Sequence, residues 1–275
     1  MTRKICFFDI DGTLWDRENR IPGSAVSAIR RLRENGHTAL ICSGRSRSYI
    51  RHPDLLSIGF DGIVSGAGTM LELDGKTVFN RVLPPEAVLK AVETALALSW
   101  TPLLEGVRTT CIDREGFPIP PYYDKLAREL GDTLEPLSRR WGQWDDISKL
   151  TVIAREGAAD LERLREILGG TFDFVIHEPW LAELVPPGVN KGTGLAEACR
   201  ALGADPKDAV AFGDSANDLD MIRAAGTGVC MGNGTEALKQ AADLVAASME
   251  DDGIEKALIA LGLIGAEEEA GRTER

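Results

Sequence analysis

Short apolar runs alternate with amphipathic stretches along the first third of the chain, and this alternation sets the expected fold. Ile5-Cys6-Phe7-Phe8 is a continuous apolar run, which predicts a strand buried on both faces. Val26, Ile29 and Leu32 recur at helical spacing within residues 22–35, and Gly36 supplies a C-terminal stop. Residues 37–42 and 62–64 read as two more strands, each followed by a glycine-containing loop. Strand, helix, strand, loop, strand is the rhythm of a doubly wound, parallel, Rossmann-like α/β sheet.

Near Leu83 the rhythm changes. Pro84-Pro85 opens a predicted helix through residue 98, and a strand is expected over 103–112. A helix near 122–130, a strand at 149–154, a helix at 158–168 and strands at 172–176 and 181–185 complete a mixed segment. It holds Trp141, Trp144 and Trp180 and closes on Pro186-Pro187-Gly188. The proline pairs at its two ends read as hinges. The expectation is an α+β cap domain, residues 83–186, inserted into an α/β core formed by 1–82 and 187–275. The core resumes with helices at 191–202, at 218–225 and from 235, interleaved with strands at 209–212, 228–231 and 244–247.

A length of 275 residues suits two domains, and 44% hydrophobic residues suffice for a sizeable core. The net charge of −12 argues against nucleic acid or an anionic membrane surface as the main partner. Cys6, Cys42, Cys111, Cys199 and Cys230 are scattered and odd in number, as free thiols in a reducing compartment are. His37, His52 and His177 lack metal-ligand spacing and read as structural or surface residues. Asp9 and Asp11 interrupt the N-terminal apolar run, so no secretory signal is expected, and residues 257–266 are too short an apolar stretch to span a bilayer. A cytoplasmic protein with a frayed polar tail from Glu267 is expected.

The candidate chemistry sits where the strands stop. Asp9 and Asp11 close the first strand two residues apart, so both carboxylates can aim at one point, and Gly12 lets the backbone leave tightly. Two acids this close call for a proton or a hard cation, and Mg²⁺ binds through one or two carboxylates plus phosphate and water. A strand-to-turn junction whose Asp and Gly only cap a loop is the plainer alternative. Gly213-Asp214-Ser215-Ala216-Asn217-Asp218 repeats the arrangement, although Asp218 and Asp220 also suit a first helical turn. Lys191 opens a helix behind Asn190, with Gly192 and Gly194 beside it. A cation is disfavoured there unless an anion faces it, the alternative being a solvated side chain. Arg45, after Ser43-Gly44, invites the same reading more weakly.

Taken together, Asp9-Ile10-Asp11-Gly12-Thr13, Ser43-Gly44-Arg45, Lys191 and Gly213-Asp214-x-x-Asn217-Asp218 resemble, in order, the four motifs of the haloacid dehalogenase-like (HAD) hydrolases. The long insertion and the Pro-Gly-Val-Asn-Lys-Gly return resemble the Cof-type branch with an α+β (type IIB) cap. Cys42 stands before Ser43 where that family often has Ala-Thr, which leaves the hydroxyl in place. The resemblance implies a Mg²⁺-dependent phosphatase acting on a small phosphorylated metabolite, a sugar phosphate among the candidates. It implies Asp9 as nucleophile and Asp11 as the acid, then base, at the leaving oxygen. It also implies Mg²⁺ on the Asp9 carboxylate, the Asp11 carbonyl and Asp214, with Asp218 supporting them. Ser43, Gly44, Lys191 and Asn217 would hold the phosphate. Arg108, Tyr122, Trp141, His177 and Trp180 are candidates to meet the leaving group. Rival readings are a phosphotransferase or phosphomutase of the same family, a receiver-like phospho-acceptor module, and a dinucleotide site at Gly232-x-Gly234-x-x-Ala237.

Overall fold

The computed structural model describes residues 3–154 and 160–266. Its first five strands are β1 (Ile5–Phe8), β2 (Thr38–Cys42), β3 (Gly62–Ser65), β4 (Met70–Leu73) and β5 (Lys76–Asn80). Next come β6 (Thr101–Gly106), β7 (Thr110–Cys111), β8 (Leu134–Glu135), β9 (Ile147–Ile153), β10 (Asp173–Glu178) and β11 (Leu181–Val185). The last three are β12 (Ala209–Gly213), β13 (Thr227–Cys230) and β14 (Leu244–Val245). One sheet runs β14-β13-β12-β1-β2-β3-β4-β5, and the other runs β10-β11-β9-β6-β7-β8.

In the larger sheet β1 pairs in parallel with both β2 and β12. Alternate residues of β1 feed different cores, as expected of a strand covered on both faces. Cys6 and Phe8 pack with Ala28, Ile29 and Leu32 of the helix Gly23–Glu34 and with Leu258 of the helix Gly253–Ala260. Ile5 and Phe7 pack instead with Leu195 and Ala198 of the helix Lys191–Ala201 and with Met221. Each of these fully buried Phe side chains contributes about 1.5–3 kcal/mol by leaving water.

The smaller sheet is largely antiparallel, with β9 between β6 and β11. One of its faces, through Leu104, Leu150, Val152, Ala182 and Leu184, packs on Val88, Val92, Leu164 and Leu168 from the helices Pro85–Ala97 and Leu161–Leu168. The opposite face looks toward the ends of β1 and β2.

Some elements differ from the sequence reading. The expected strand over 103–112 is a hairpin, with β6 turning into β7. β4 and β5 add an antiparallel edge to the parallel sheet; Asp74-Gly75 makes their turn, both residues at positive φ. The helix expected at 158–168 spans Leu161–Leu168, and residues 158 and 159, like the tail from Glu267, lie outside the described residues. The expected strand at 244–247 shortens to Leu244–Val245. All five cysteines are free and buried, and no helix among the described residues is long and apolar enough to cross a membrane.

Candidate active site

Asp9 follows β1, Ser43 follows β2 and Asp214 follows β12, so three adjacent strands deliver their loops to one edge. The strand order reverses at β1, and such a switch point leaves a crevice beyond the carboxyl ends of the strands. Asp9 and Asp218 are buried and Asp214 half-buried, and one carboxylate oxygen from each lies within 4.8 Å of the others.

Lys191 enters this cluster from the first turn of its helix, which Asn190 caps by accepting the Thr193 N–H at 2.8 Å. The Lys191 side chain is only 1% exposed. Its Nζ donates to Asp9 Oδ1 at 2.7 Å, to Asp218 Oδ1 at 2.6 Å and to Asn217 Oδ1 at 3.2 Å. Glycines let this helix pack close to its neighbours: a Cβ on Gly192 would stand 2.4 Å from the Asp220 carbonyl, and one on Gly194 would stand 2.6 Å from Val64. The lysine is therefore built into the site and is not a solvated side chain.

Asp218 is saturated by donors. Besides Lys191, its Oδ2 accepts the N–H groups of Asp214 and Ser215, both at 3.0 Å. It thereby fixes the turn that carries Asp214. The first loop meets that turn directly, because Thr13 Oγ1 donates to Asp214 Oδ1 at 3.2 Å. Gly12 lies at φ +83°, and a Cβ there would fall 2.5 Å from Asp214 Oδ2. Gly12→Ala is expected to displace the Asp214 carboxylate and strain the left-handed turn. A misplacement of this kind costs on the order of 10²-fold in kcat/KM, and the Mg²⁺ concentration for half-maximal rate should rise with it. Titrating Mg²⁺ against turnover of an aryl phosphate checks both.

Among the described residues, the N–H groups of Ile10, Asp11 and Gly44 find no protein acceptor. Ser43 is buried, and its Oγ accepts the Arg45 N–H at 3.2 Å. Asn217 Nδ2 lies 3.6 Å from where a Gly44 Cβ would be. The structure thus brings together Asp9, Asp11, Ser43, Gly44, Lys191, Asn217, Asp214 and Asp218.

The charge balance is uneven. Burial, then repulsion from Asp218, pushes the Asp9 carboxyl well above its ordinary range despite Lys191. The same two causes push Asp214 up to about 7. Lys191 moves upward because attraction to Asp218 and Asp9 outweighs its burial. One ammonium among three crowded carboxylates leaves the site short of positive charge. An all-oxygen donor set of this kind fits a hard divalent cation.

Arg45 is placed differently from the expectation. Its Nε and Nη2 grip Asp11 Oδ2 and Oδ1, each at 2.7 Å, and its Nη1 reaches Glu129 Oε2 at 3.1 Å. Its guanidinium also stacks over the rings of Tyr49 and Trp15. The anion it faces is Asp11 itself, because the first loop turns that carboxylate outward, where the Trp15 indole N–H also donates to it at 3.0 Å. Lost hydration pushes the Asp11 carboxyl up, but Arg45 and Trp15 outweigh that and hold it below its ordinary range.

A cavity of about 460 Å³ lies between this centre and the open face of the smaller sheet. Of the proposed cap contacts, Tyr122 and His177 line it. Arg108 instead pairs with Asp145 and Asp146, Trp141 meets Trp144 edge to face, and Trp180 packs beside Phe117 and Leu126. The sequence reading missed Glu105, Lys149, Thr151 and Glu183, which also line the cavity. Each interrupts an otherwise apolar strand, and that was the available signal.

An acid cluster with a buried lysine, set at the switch point of a doubly wound sheet beneath an inserted second sheet, is the architecture of a phosphoryl-handling hydrolase. A model of the haloacid dehalogenase-like hydrolases matches residues 6–258, and the chain belongs to that family, in its Cof-type branch. It is 29% identical over 273 residues to the 5-amino-6-(5-phospho-D-ribitylamino)uracil phosphatase YitU of Bacillus subtilis (strain 168), covering 91% of this chain and 94% of that one. It is 29% identical over 251 residues to the HMP-PP phosphatase of Yersinia enterocolitica, covering 86% of each. A hypothetical protein from Geobacillus kaustophilus HTA426, known by its crystal structure, superposes with a TM-score of 0.81 at 29% identity, covering 96% of this chain and 100% of that one.

Proposed function

We propose that this chain is a Mg²⁺-dependent phosphatase that hydrolyses a small-molecule phosphate monoester, a sugar phosphate among the candidates, through an aspartyl-phosphate on Asp9. The observation that carries the reading is the buried Lys191 ammonium shared by Asp9 and Asp218, with Asp214 beside them, at the floor of a metabolite-sized cavity. Residues 83–186 serve as the cap, which places the leaving group and excludes water when shut.

Asp9, the Asp11 carbonyl and Asp214 would hold Mg²⁺, which when bound neutralises phosphate charge. An Asp9 carboxylate oxygen attacks phosphorus, and the P–O bond to the leaving alcohol breaks with its electron pair going to that oxygen. Lys191, Ser43 and the N–H groups of Asp11 and Gly44 take the phosphoryl oxygens, Lys191 exchanging its Asn217 contact for one of them. Asp11 protonates the departing oxygen and then deprotonates the water that attacks phosphorus and frees Asp9. Because Arg45 and Trp15 hold Asp11 ionised, the entering leaving group must displace the Arg45 fork before that proton can be carried. The substrate is a small phosphorylated metabolite met in the cytoplasm, and the acidic chain makes nucleic acid and membranes unsuitable partners.

Steady-state hydrolysis of p-nitrophenyl phosphate tests this reading. Turnover is expected with Mg²⁺, to vanish on chelation and to return when Mg²⁺ is restored. The melting temperature should rise with Mg²⁺ as the charge imbalance is relieved. Hydrolysis indifferent to chelation would contradict the metal assignment.

A further inference from the structure

The open face of the cap sheet is charged in a regular way. Side chains two apart on a strand share a face, and Leu103 and Glu105 of β6, Lys149 and Thr151 of β9, and Leu181 and Glu183 of β11 all line the cavity. The register sets Glu105 opposite Lys149 and Thr151 opposite Glu183. Lys149, 1% exposed, lies 2.8 Å from Glu183 Oε1 and 3.3 Å from Glu105 Oε1, and Glu105 also accepts the Thr151 hydroxyl at 2.6 Å. His177 Nε2 stands 3.4 Å from Glu183.

The other oxygen of Glu183 has no such support. Its Oε2 is buried and finds no hydrogen-bond partner, and it lies 3.8 Å from where a Gly44 Cβ would stand. It therefore overhangs the loop that presents Ser43 and the Gly44 N–H. Burial pushes the Glu183 carboxyl up, but Lys149 and His177 outweigh it and hold it down to about 2, so the group cannot relieve itself by taking a proton near neutrality. A buried anionic acceptor without a donor is costly until a donor arrives.

We propose that Glu183, braced by Lys149 and Glu105, selects the leaving group: it accepts a hydrogen bond from a neutral, hydroxyl-bearing carbon chain and turns away a leaving group carrying a second anion. This inference rests on the phosphatase reading. Along this side of the cavity Glu105, Glu178 and Glu183 outnumber Lys125 and Lys149, with His177 set against Glu183, so a carboxylate or second phosphate would meet net negative charge. Leu103 and Leu181 supply the apolar walls against which the carbon chain lies.

Glycerol 3-phosphate and 3-phosphoglycerate differ only in a terminal hydroxymethyl against a carboxylate, and their kcat/KM values with Mg²⁺ form the test. The wild type should prefer glycerol 3-phosphate by at least about tenfold. In Glu183→Gln that ratio should fall at least about tenfold, mostly through KM. A Glu183 that only supported the fold would lower both substrates alike and leave the ratio in place. Should that variant melt early, Glu105→Gln/Lys149→Gln/Glu183→Gln removes all three charges together and should show the same fall. A wild type indifferent to the carboxylate, or a ratio unchanged in both variants, overturns the inference while p-nitrophenyl phosphate turnover leaves the phosphatase reading standing. A wild type that hydrolyses none of the three esters defeats both.

Discussion

Asp9→Asn is expected to lose at least about a thousandfold in kcat on p-nitrophenyl phosphate, because no other carboxylate can take over the attack. Asp218 is committed to Lys191 and two backbone N–H groups, Asp214 accepts from Thr13 and would hold Mg²⁺, and Asp11 is turned toward Arg45. The variant should nonetheless fold. Asp9 is pushed toward its neutral form by burial and by Asp218, so a neutral amide of the same shape removes repulsion while still accepting from Lys191. Its melting temperature without Mg²⁺ should equal or exceed that of the wild type. Unfolding would mean that the loss of turnover says nothing about the nucleophile. Retained Mg²⁺-dependent turnover would remove Asp9 from that role.

Lys191→Ala is expected to fail on both counts. Removing one partner of a buried ion pair while the other stays charged costs about 3–5 kcal/mol, and here two carboxylates lose their partner at once. For a chain of this size that corresponds to a drop of roughly 10 °C in melting temperature. Turnover should fall on the order of 10²–10³-fold, as when one preorganised donor to the transferring group is lost. Since Mg²⁺ is then the sole cation available to Asp9, Asp214 and Asp218, it should raise the melting temperature of the variant more than that of the wild type. Equal Mg²⁺ shifts in the two proteins would contradict the shared charge balance.

The gathering of the core's acids and lysine was legible because its pieces are local in sequence. Asp9 to Thr13 and Gly213 to Asp218 each carry their turn glycine, their acids and their strand in one short run, and Lys191 declared itself by standing at a helix start among glycines. The parallel order followed from strand and helix alternation. What stayed hidden depends on partners far apart in the chain. Arg45 looked like an anion ligand, and it is one, but its anion is Asp11, 34 residues away, which no spacing rule links to it. Glu105, Lys149 and Glu183 become neighbours only through the antiparallel register of β6, β9 and β11. Aromatic and long polar side chains therefore drew attention in residues 83–186, although Arg108 and Trp141 lie outward. The β4–β5 hairpin escaped notice because its exposed strand Lys76–Asn80 has little apolar pattern to read.

Rapid acid quench during turnover, followed by borohydride reduction and peptide sequencing by mass spectrometry, tests the phosphoryl capture directly. A captured phosphoryl group on Asp9 reads as homoserine at position 9, in the wild type with Mg²⁺ and in no sample treated with chelator. Reduction at another residue, or an unmodified Asp9 while phosphate is being released, would contradict the account.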